Sequence, residues 1–294
     1  MISFVNAKIN IGLNIVGKRD DGYHLLESVF YPVGVYNGLP DNPTPFPDIL
    51  EITFSNDNDK FIFSGNAINC PVEQNLVVKA LKVFRARLQS KTMEARPVNI
   101  HLKKNIPDGA GLGGGSADAS FTLQTLNQLY SRPFSIAELS EMAETLGADC
   151  PFFISNAPAL IKGIGERIYS TTLNLAGYWC IIVKPPVYIS TKEAFAGVKP
   201  TKPTESVEII TAHPIEKWVE KGLKNEFEKH IFEIYPELYA LKEELWSLGA
   251  DYASMSGSGS SIFGIFKQRH TAESAYRALI KSRPNTDRIF ICKL

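Results

Sequence analysis

The chain has 294 residues, 44% of them hydrophobic and 21% charged, an ordinary globular balance that argues against disorder and fibrous repeats. Lys plus Arg and Asp plus Glu are equal at 31 each, so no net field selects nucleic acid or an anionic membrane, and an anionic substrate must be held by local charges. Cys70, Cys150, Cys180 and Cys292 form neither a CxxC pair nor a Cys/His cluster, which excludes a disulfide framework and a zinc site as readings of the sequence. There is no basic leader with an apolar core, and no apolar run approaches the roughly 18 residues of a membrane span, so a soluble, unprocessed, cytoplasmic protein with reduced thiols is expected. The length suits two domains.

Over residues 4–15 apolar and polar residues alternate as in a strand, with Ile9, Ile11, Leu13 and Ile15 on one face and Lys8, Asn10, Gly12 and Asn14 on the other. Lys8 and Asn10 therefore point the same way. Residues 17–22 read as a turn, Tyr23 and His24 follow it, and a second strand runs through Val29, Phe30 and Tyr31. Residues 36–48 carry Pro40, Pro43, Pro45 and Pro47, too rigid and too poor in donors for sheet or helix, and predict an exposed loop. Leu50, Ile52 and Phe54, then Phe61 and Phe63, predict further short antiparallel strands. Asn75 opens a helix with Leu76, Ala80, Leu81 and Phe84 inward, and Val98, Ile100 and Leu102 form a strand that ends at Lys104, which shares their parity.

Residues 107–120 organise the chain. Gly109, Gly111, Gly113, Gly114 and Gly115 put five glycines within seven positions, between that strand and a helix marked by Ala119, Leu123, Leu126 and Tyr130. Backbone so stripped of side chains comes close to something, and phosphate is the expected ligand: loop amides curl around its oxygens, and the first helical turn adds unpaired donors and the positive end of its dipole. A tight turn without a ligand is the alternative, although ordinary turns need one or two glycines. Residues 12–18 spell GxxxxGK, but Arg19 stands where a P-loop needs Ser or Thr. Gly109, Gly111 and Gly114 also satisfy GxGxxG. The dinucleotide reading needs an acidic residue about 20 positions on, at the end of a second parallel strand, and what stands there is Glu138, which forms a capping box with Ser135.

The capped helix buries Leu139, Met142, Ala143 and Leu146 and closes at Gly147. Pro151 predicts a stop, leaving Asp149 in a fixed turn at the helix exit. A domain boundary is placed near residues 155–158, with domains 1–156 and 157–294. Beyond it come a strand over residues 159–168 interrupted by Gly163 and Gly165, a buried strand from Trp179 to Val183, helices from about Glu216 and Pro236, and strands at residues 251–255 and 262–266. A helix through Ala272, Ala275, Tyr276 and Leu279 and a last strand from Ile289 to Cys292 complete a split βαβ order. A second glycine-rich turn, Ser256-Gly257-Ser258-Gly259-Ser260, lies between two of these strands.

Three ordered motifs, Ala7-Lys8-Ile9-Asn10, residues 107–119 and the turn at residues 255–261, resemble those of the GHMP kinases, the family of galactokinase, homoserine kinase, mevalonate kinase and phosphomevalonate kinase. The resemblance implies a two-domain α+β fold, a ribosomal-S5-like N-terminal domain and a ferredoxin-like C-terminal one, and an enzyme transferring a phosphoryl group from ATP, with Mg2+, to a small-molecule alcohol. Gly22-Tyr23-His24, Gln74-Asn75-Leu76, residues 146–152 and Gly163-Ile164-Gly165-Glu166 are similar to the members acting on the 2-hydroxyl of a cytidine diphosphate-linked methylerythritol, on a route to isoprenoids. Other family kinases, of the mevalonate or homoserine type, and a non-catalytic nucleotide-sensing relative are the alternatives. Neither nucleic acid, membrane nor an obligate protein partner is expected.

By the same resemblance, Asp149 receives the proton of the attacking hydroxyl. A carboxylate of pKa about 3.9 is a weak base, but a loose phosphoryl-transfer transition state lets it orient the hydroxyl first and collect the proton late. Lys8 offsets charge beside it, and Asn10 positions the substrate. Tyr23 and His24 hold the cytosine by stacking and by pairing with its polar edge, with Phe195 a candidate opposite wall. Asn75 and Lys104 fall on the nucleotide side. Pro107, Gly109, Ala110, Gly111, Leu112, Gly113, Gly114, Gly115 and Ser116 form the ATP cradle; Ser116 is the one hydroxyl positioned to reach a magnesium ion, and no metal ligand is assigned. Gly257 and Gly259 close on the substrate diphosphate, a plain hairpin turn being the other reading. Asp108 departs from the family pattern, which has an uncharged residue there.

Overall fold

The computed structural model describes residues 1–34, 36–37, 46–68, 70–201 and 203–294. Its strands are β1 (Ile2–Val5), β2 (Ala7–Lys18), β3 (His24–Val33), β4 (Tyr36–Asn37), β5 (Asp48–Phe54), β6 (Lys60–Gly65), β7 (Val98–Lys104), β8 (Ala159–Gly163), β9 (Arg167–Ser170), β10 (Trp179–Lys184), β11 (Tyr252–Met255), β12 (Ile262–Phe266) and β13 (Arg288–Lys293). Its α-helices are α1 (Leu76–Ser90), α2 (Gly114–Leu129), α3 (Ile136–Glu144), α4 (Cys150–Ser155), α5 (Thr191–Ala196), α6 (Val207–Thr211), α7 (Phe227–Ile234), α8 (Pro236–Ser247) and α9 (Arg269–Ser282). Two compact units result: Met1–Ala7, Pro47–Asp108 and Gly113–Ala157 form the first, and Lys8–Phe46, Gly109–Leu112 and Pro158–Leu294 the second.

The first unit is a sheet in the order β1-β5-β7-β6. Apolar residues of α1 (Val77, Ala80, Leu81, Phe84) and α2 (Leu123, Leu126) are buried, as are those of one sheet face (Leu50, Ile52, Ile100, Leu102). β5 is antiparallel to both neighbours, but β6 runs parallel to β7. The expectation of antiparallel strands fails at β6 because α1 lies between β6 and β7, and a helical crossover returns the chain to the end of the sheet where it began. Asn75 caps α1, its Oδ1 accepting from Val77 N at 2.9 Å. The Ser135/Glu138 capping box forms at α3. Pro151 does not stop a helix; it sits in the first turn of α4, where its missing N–H leaves no bond unmade, and Asp149 is the residue that precedes that helix.

The second unit holds two sheets, β11-β12-β10-β13-β4 and β2-β3-β8-β9. β10, β11, β12 and β13 are antiparallel in the ferredoxin-like order, with α9 connecting β12 to β13. β4 adds an edge to it through Tyr36 and Asn37, and Phe46 is fully buried with its ring 4.7 Å from that of Phe290. The ends of the expected loop at residues 36–48 are therefore sheet and core; residues 38–45 lie outside the described residues. β3 is hydrogen-bonded to β8, which is why residues 8–46 belong with the C-terminal half of the chain. Gly163 and Gly165 turn the expected interrupted strand into the β8–β9 hairpin. Near Glu216 only a single 3-10 turn forms, Ile215–Lys217, and the helix begins at α7, past Gly222 with its φ of +86°. Cys180 stands opposite Cys292 in register, both as free thiols.

Candidate active site

β7 delivers the chain into the glycine loop. Gly109, Gly111 and Gly113 have φ of +58°, +72° and +70°, conformations that side chains rarely adopt. A Cβ on Gly111 would stand 2.0 Å from the Ser256 carbonyl oxygen, whereas one on Gly115 would meet only a Leu76 methyl at 3.7 Å. The protein itself thus requires glycine at 111 but not at 115, where the open side of the loop lies. Carbonyls along the loop are taken: Ala110 O accepts from Ser261 N at 3.3 Å, Gly111 O from Ser256 Oγ at 2.8 Å and Leu112 O from Lys8 N at 2.9 Å. The amides of residues 111–116, in contrast, donate to no protein acceptor among the described residues. They stand at the head of α2, 16 residues long, whose dipole adds positive potential.

Lys8 and Asn10 are both buried, so the polar face of β2 does not meet solvent. Lys8 Nζ donates to Asn10 Oδ1 at 2.5 Å and lies 4.4 Å from the centre of the Phe30 ring. Asn10 Nδ2 donates to Ser28 Oγ at 3.1 Å, and its backbone N donates to Ser256 Oγ at 3.3 Å. The Ser256 hydroxyl therefore bridges β2 and Gly111. Gly257 (φ +55°) and Gly259 (φ +89°) form the turn beyond it, where a Cβ on Gly257 would come 3.2 Å from Asn10 Oδ1.

Lys104 is not a solvent-facing cation. Its Nζ donates to Asp48 and, at 2.6 Å, to Asp118, and all three side chains are nearly inaccessible. Asp48 also accepts from Asn105 N at 2.5 Å and Ile106 N at 2.8 Å, fixing the chain as it enters the loop. Burial works against the Lys104 charge, but the Asp118 and Asp48 carboxylates outweigh it and hold the ammonium above its usual pKa. Burial pushes the Asp118 carboxyl well above the carboxylate range despite Lys104, and its Oδ1 has no hydrogen-bond partner.

Asp149 is half-buried in a helical conformation (φ −82°, ψ −13°), and its side chain does not cap α4. The segment is anchored to α2 through Ser120 Oγ, which donates to Cys150 O at 2.7 Å. Burial, only partly offset by the Ser116 hydroxyl, pushes the Cys150 thiol up to about 11. Asn75, 8% exposed, lines a cavity of about 300 Å³ together with Phe63, Ala67, Ile68 and Val72.

His24 stacks directly on Phe195, ring centres 4.6 Å apart and planes at 15°. Nothing fits between those two rings. Tyr23, 60% exposed, offers the free aromatic face. Burial, then the charge of Lys18, lowers the His24 pKa, so the imidazole is neutral at pH 7 and can both donate and accept. Within the second unit, then, Lys8, Asn10, the loop carbonyls and the Gly257 turn come together, as do His24 and Phe195. Asp48, Asp118 and Ser256 were not among the residues singled out by sequence. Ser256 is one of several like hydroxyls in its turn, and the two aspartates bear no local mark.

The glycine loop thus leads into the first turn of α2, and β2 carries a buried lysine hydrogen-bonded to Asn10. Residues 75–157 match the GHMP kinases N terminal domain and residues 212–285 the GHMP kinases C terminal domain. The chain is 47% identical over 269 residues to 4-diphosphocytidyl-2-C-methyl-D-erythritol kinase of Bacteroides fragilis, covering 90% of this chain and 92% of the relative. It is 44% identical over 268 residues to the protein of the same name from Parabacteroides distasonis, covering 91% and 92%. A crystal structure of 4-(cytidine 5'-diphospho)-2C-methyl-D-erythritol kinase superposes over 100% of both chains with a TM-score of 0.79 at 29% identity. The chain belongs to the GHMP kinase family.

Proposed function

We propose that this protein is the kinase that phosphorylates the 2-hydroxyl of 4-diphosphocytidyl-2-C-methyl-D-erythritol with ATP, in isoprenoid biosynthesis. The observation that carries the kinase reading is the row of amides at residues 111–116, left open while carbonyls of the loop are held. The choice of substrate is supported by the relatives named for it and by the exposed Tyr23 ring beside a neutral His24. The family domains, taken as 1–156 and 157–294, are supported by the two matched stretches.

In this reading the triphosphate lies on the loop amides and adenine in the cavity lined by Asn75, Phe63 and Ile68. Lys104 serves the nucleotide through Asp48, by fixing the strand end that enters the loop. Asp149 orients the acceptor hydroxyl and takes its proton late in a loose transition state. Lys8, its side chain oriented by Asn10, offsets charge on the transferring phosphoryl group. A Mg2+ ion bound with the nucleotide would shield phosphate charge, and the Ser116 hydroxyl, in the first turn of α2, would be the protein oxygen offered to it. No helix among the described residues is long and apolar enough to cross a membrane. A cytoplasmic location is supported by four unbridged cysteines.

The test is ADP release by purified protein offered the cytidyl substrate, mevalonate and homoserine separately. Turnover of the cytidyl substrate alone is expected. Turnover of mevalonate without it overturns the substrate assignment, and no ADP with any acceptor would favour a non-catalytic relative.

A further inference from the structure

The Gly257 turn is held from below by a residue that no motif marks. Asn225 precedes α7 and is 2% exposed. Its Nδ2 donates to Met255 O and to Gly257 O, both at 2.8 Å, while Oδ1 accepts from Phe227 N at 3.0 Å. One side-chain amide thus spends both hydrogens on two carbonyls of the same turn. Glu228, in the first turn of α7, accepts from Met255 N at 2.8 Å and Ser254 Oγ at 2.7 Å, and Lys242 Nζ donates to it at 2.6 Å. The segment carrying both is fastened to β2, with Leu13 N donating to Lys224 O at 2.8 Å and Glu226 N to Leu13 O at 2.9 Å.

The clamp decides which way the turn faces. With the Met255 and Gly257 carbonyls drawn toward Asn225, the amides of Gly257, Ser258 and Ser260 donate to no protein acceptor among the described residues. Successive amides left open in a left-handed turn form an anion-binding concavity. Ser256, inside the clamped stretch, passes the same constraint to Gly111 and Asn10.

We infer that Asn225, supported by Glu228, is a positioning residue that holds the amides of the Gly257 turn in register for the diphosphate of the acceptor substrate. The inference rests on the function proposed above. Asn225→Asp is the sharpest variant, since it keeps the shape but sets a carboxylate oxygen against two carbonyls. Glu228→Gln keeps an acceptor for Met255 N and provides a milder change. Leu279→Ala, in the core of the same unit, is the control for lost stability alone.

Two readouts are combined: hydrogen exchange at Met255, Ser256, Gly259 and Ser261, whose amides are bonded in the wild type, and KM for each substrate. Asn225→Asp is expected to speed exchange at those amides and to raise KM for the cytidyl substrate about tenfold or more, with KM for ATP within about twofold. Glu228→Gln moves both in the same direction but less, and carries the comparison if Asn225→Asp does not fold. Leu279→Ala lowers the melting temperature without changing the ratio of the two KM values. If the Asn225 and Glu228 variants behave like Leu279→Ala in exchange and in that ratio, the inference is wrong. A wild-type protein inert toward the cytidyl substrate overturns the functional proposal instead, and the exchange comparison still decides whether Asn225 holds the turn.

Discussion

Replacing Lys104 by Met removes a cation and keeps the volume of its stem. Asp48 and Asp118 are then left facing each other, with side chains 0% and 5% exposed. Removing one partner of a buried ion pair costs about 3–5 kcal/mol, a large part of the roughly 5–15 kcal/mol that holds a domain folded. One of the two carboxylates can take up a proton, so the lower figure applies in acid and the upper one in base. The wild type already shows the sign. Because burial raises the folded-state pKa of Asp118, the folded protein binds that proton more tightly than the unfolded chain, and the associated stability, full below the ordinary carboxylate pKa, is lost as pH rises through the raised value. Lys104→Met steepens this loss, and adding Asp118→Asn removes it. Urea unfolding at pH 5.5 and 8.5 checks both variants: a loss greater at 8.5 for the single variant, and substantial recovery in the double. A change under about 1 kcal/mol at both pH values, or a larger loss at 5.5, would refute the account of the triad.

Asp149→Asn is expected to lower kcat by about 100-fold or more with little change in KM for ATP; a rate within about threefold of wild type removes Asp149 from the role proposed. Gly115→Ala is expected to stabilise α2 by about 0.5–1 kcal/mol while raising KM for ATP, since its Cβ enters the open side of the loop. Gly111→Ala, which drives a Cβ into the Ser256 carbonyl, destabilises the fold instead, as thermal unfolding would reveal. Iodoacetamide at pH 8 should label Cys70 alone, because Cys150 is buried with its thiol raised to about 11 and Cys180 and Cys292 are also buried; mass spectrometry counts the adducts before and after unfolding. Tyr23→Ala is expected to weaken the cytidyl substrate by about tenfold in KM and to leave the melting temperature nearly unchanged, given how exposed the ring is.

Much of the local structure was legible because its devices are local. Glycine spacing, strand parity and the Ser135/Glu138 box depend on residues within a few positions of one another, and the loop between β7 and α2, the pairing of Lys8 with Asn10 and the cap of α3 all appear where those patterns put them. The misses at Pro151 and β6 share a cause. A proline that cannot continue one helix is well suited to begin the next, and alternation marks a strand without saying which way its neighbour runs.

What the sequence determined by itself was the chemistry on offer: a backbone without side chains ahead of a helix, a lysine and an amide on one strand face, and an aspartate beside a fixed turn. Only the tertiary structure decided how those groups are held. Asp48 reaches Lys104 across 56 positions, Ser256 reaches Gly111 across 145, and Asn225 reaches its turn across 30 and 32. Periodicity states which face a side chain takes, but its partner is set by the path of the whole chain. Buried donors and acceptors must find one another once that path is fixed, and the carbonyls they claim determine which amides are left open.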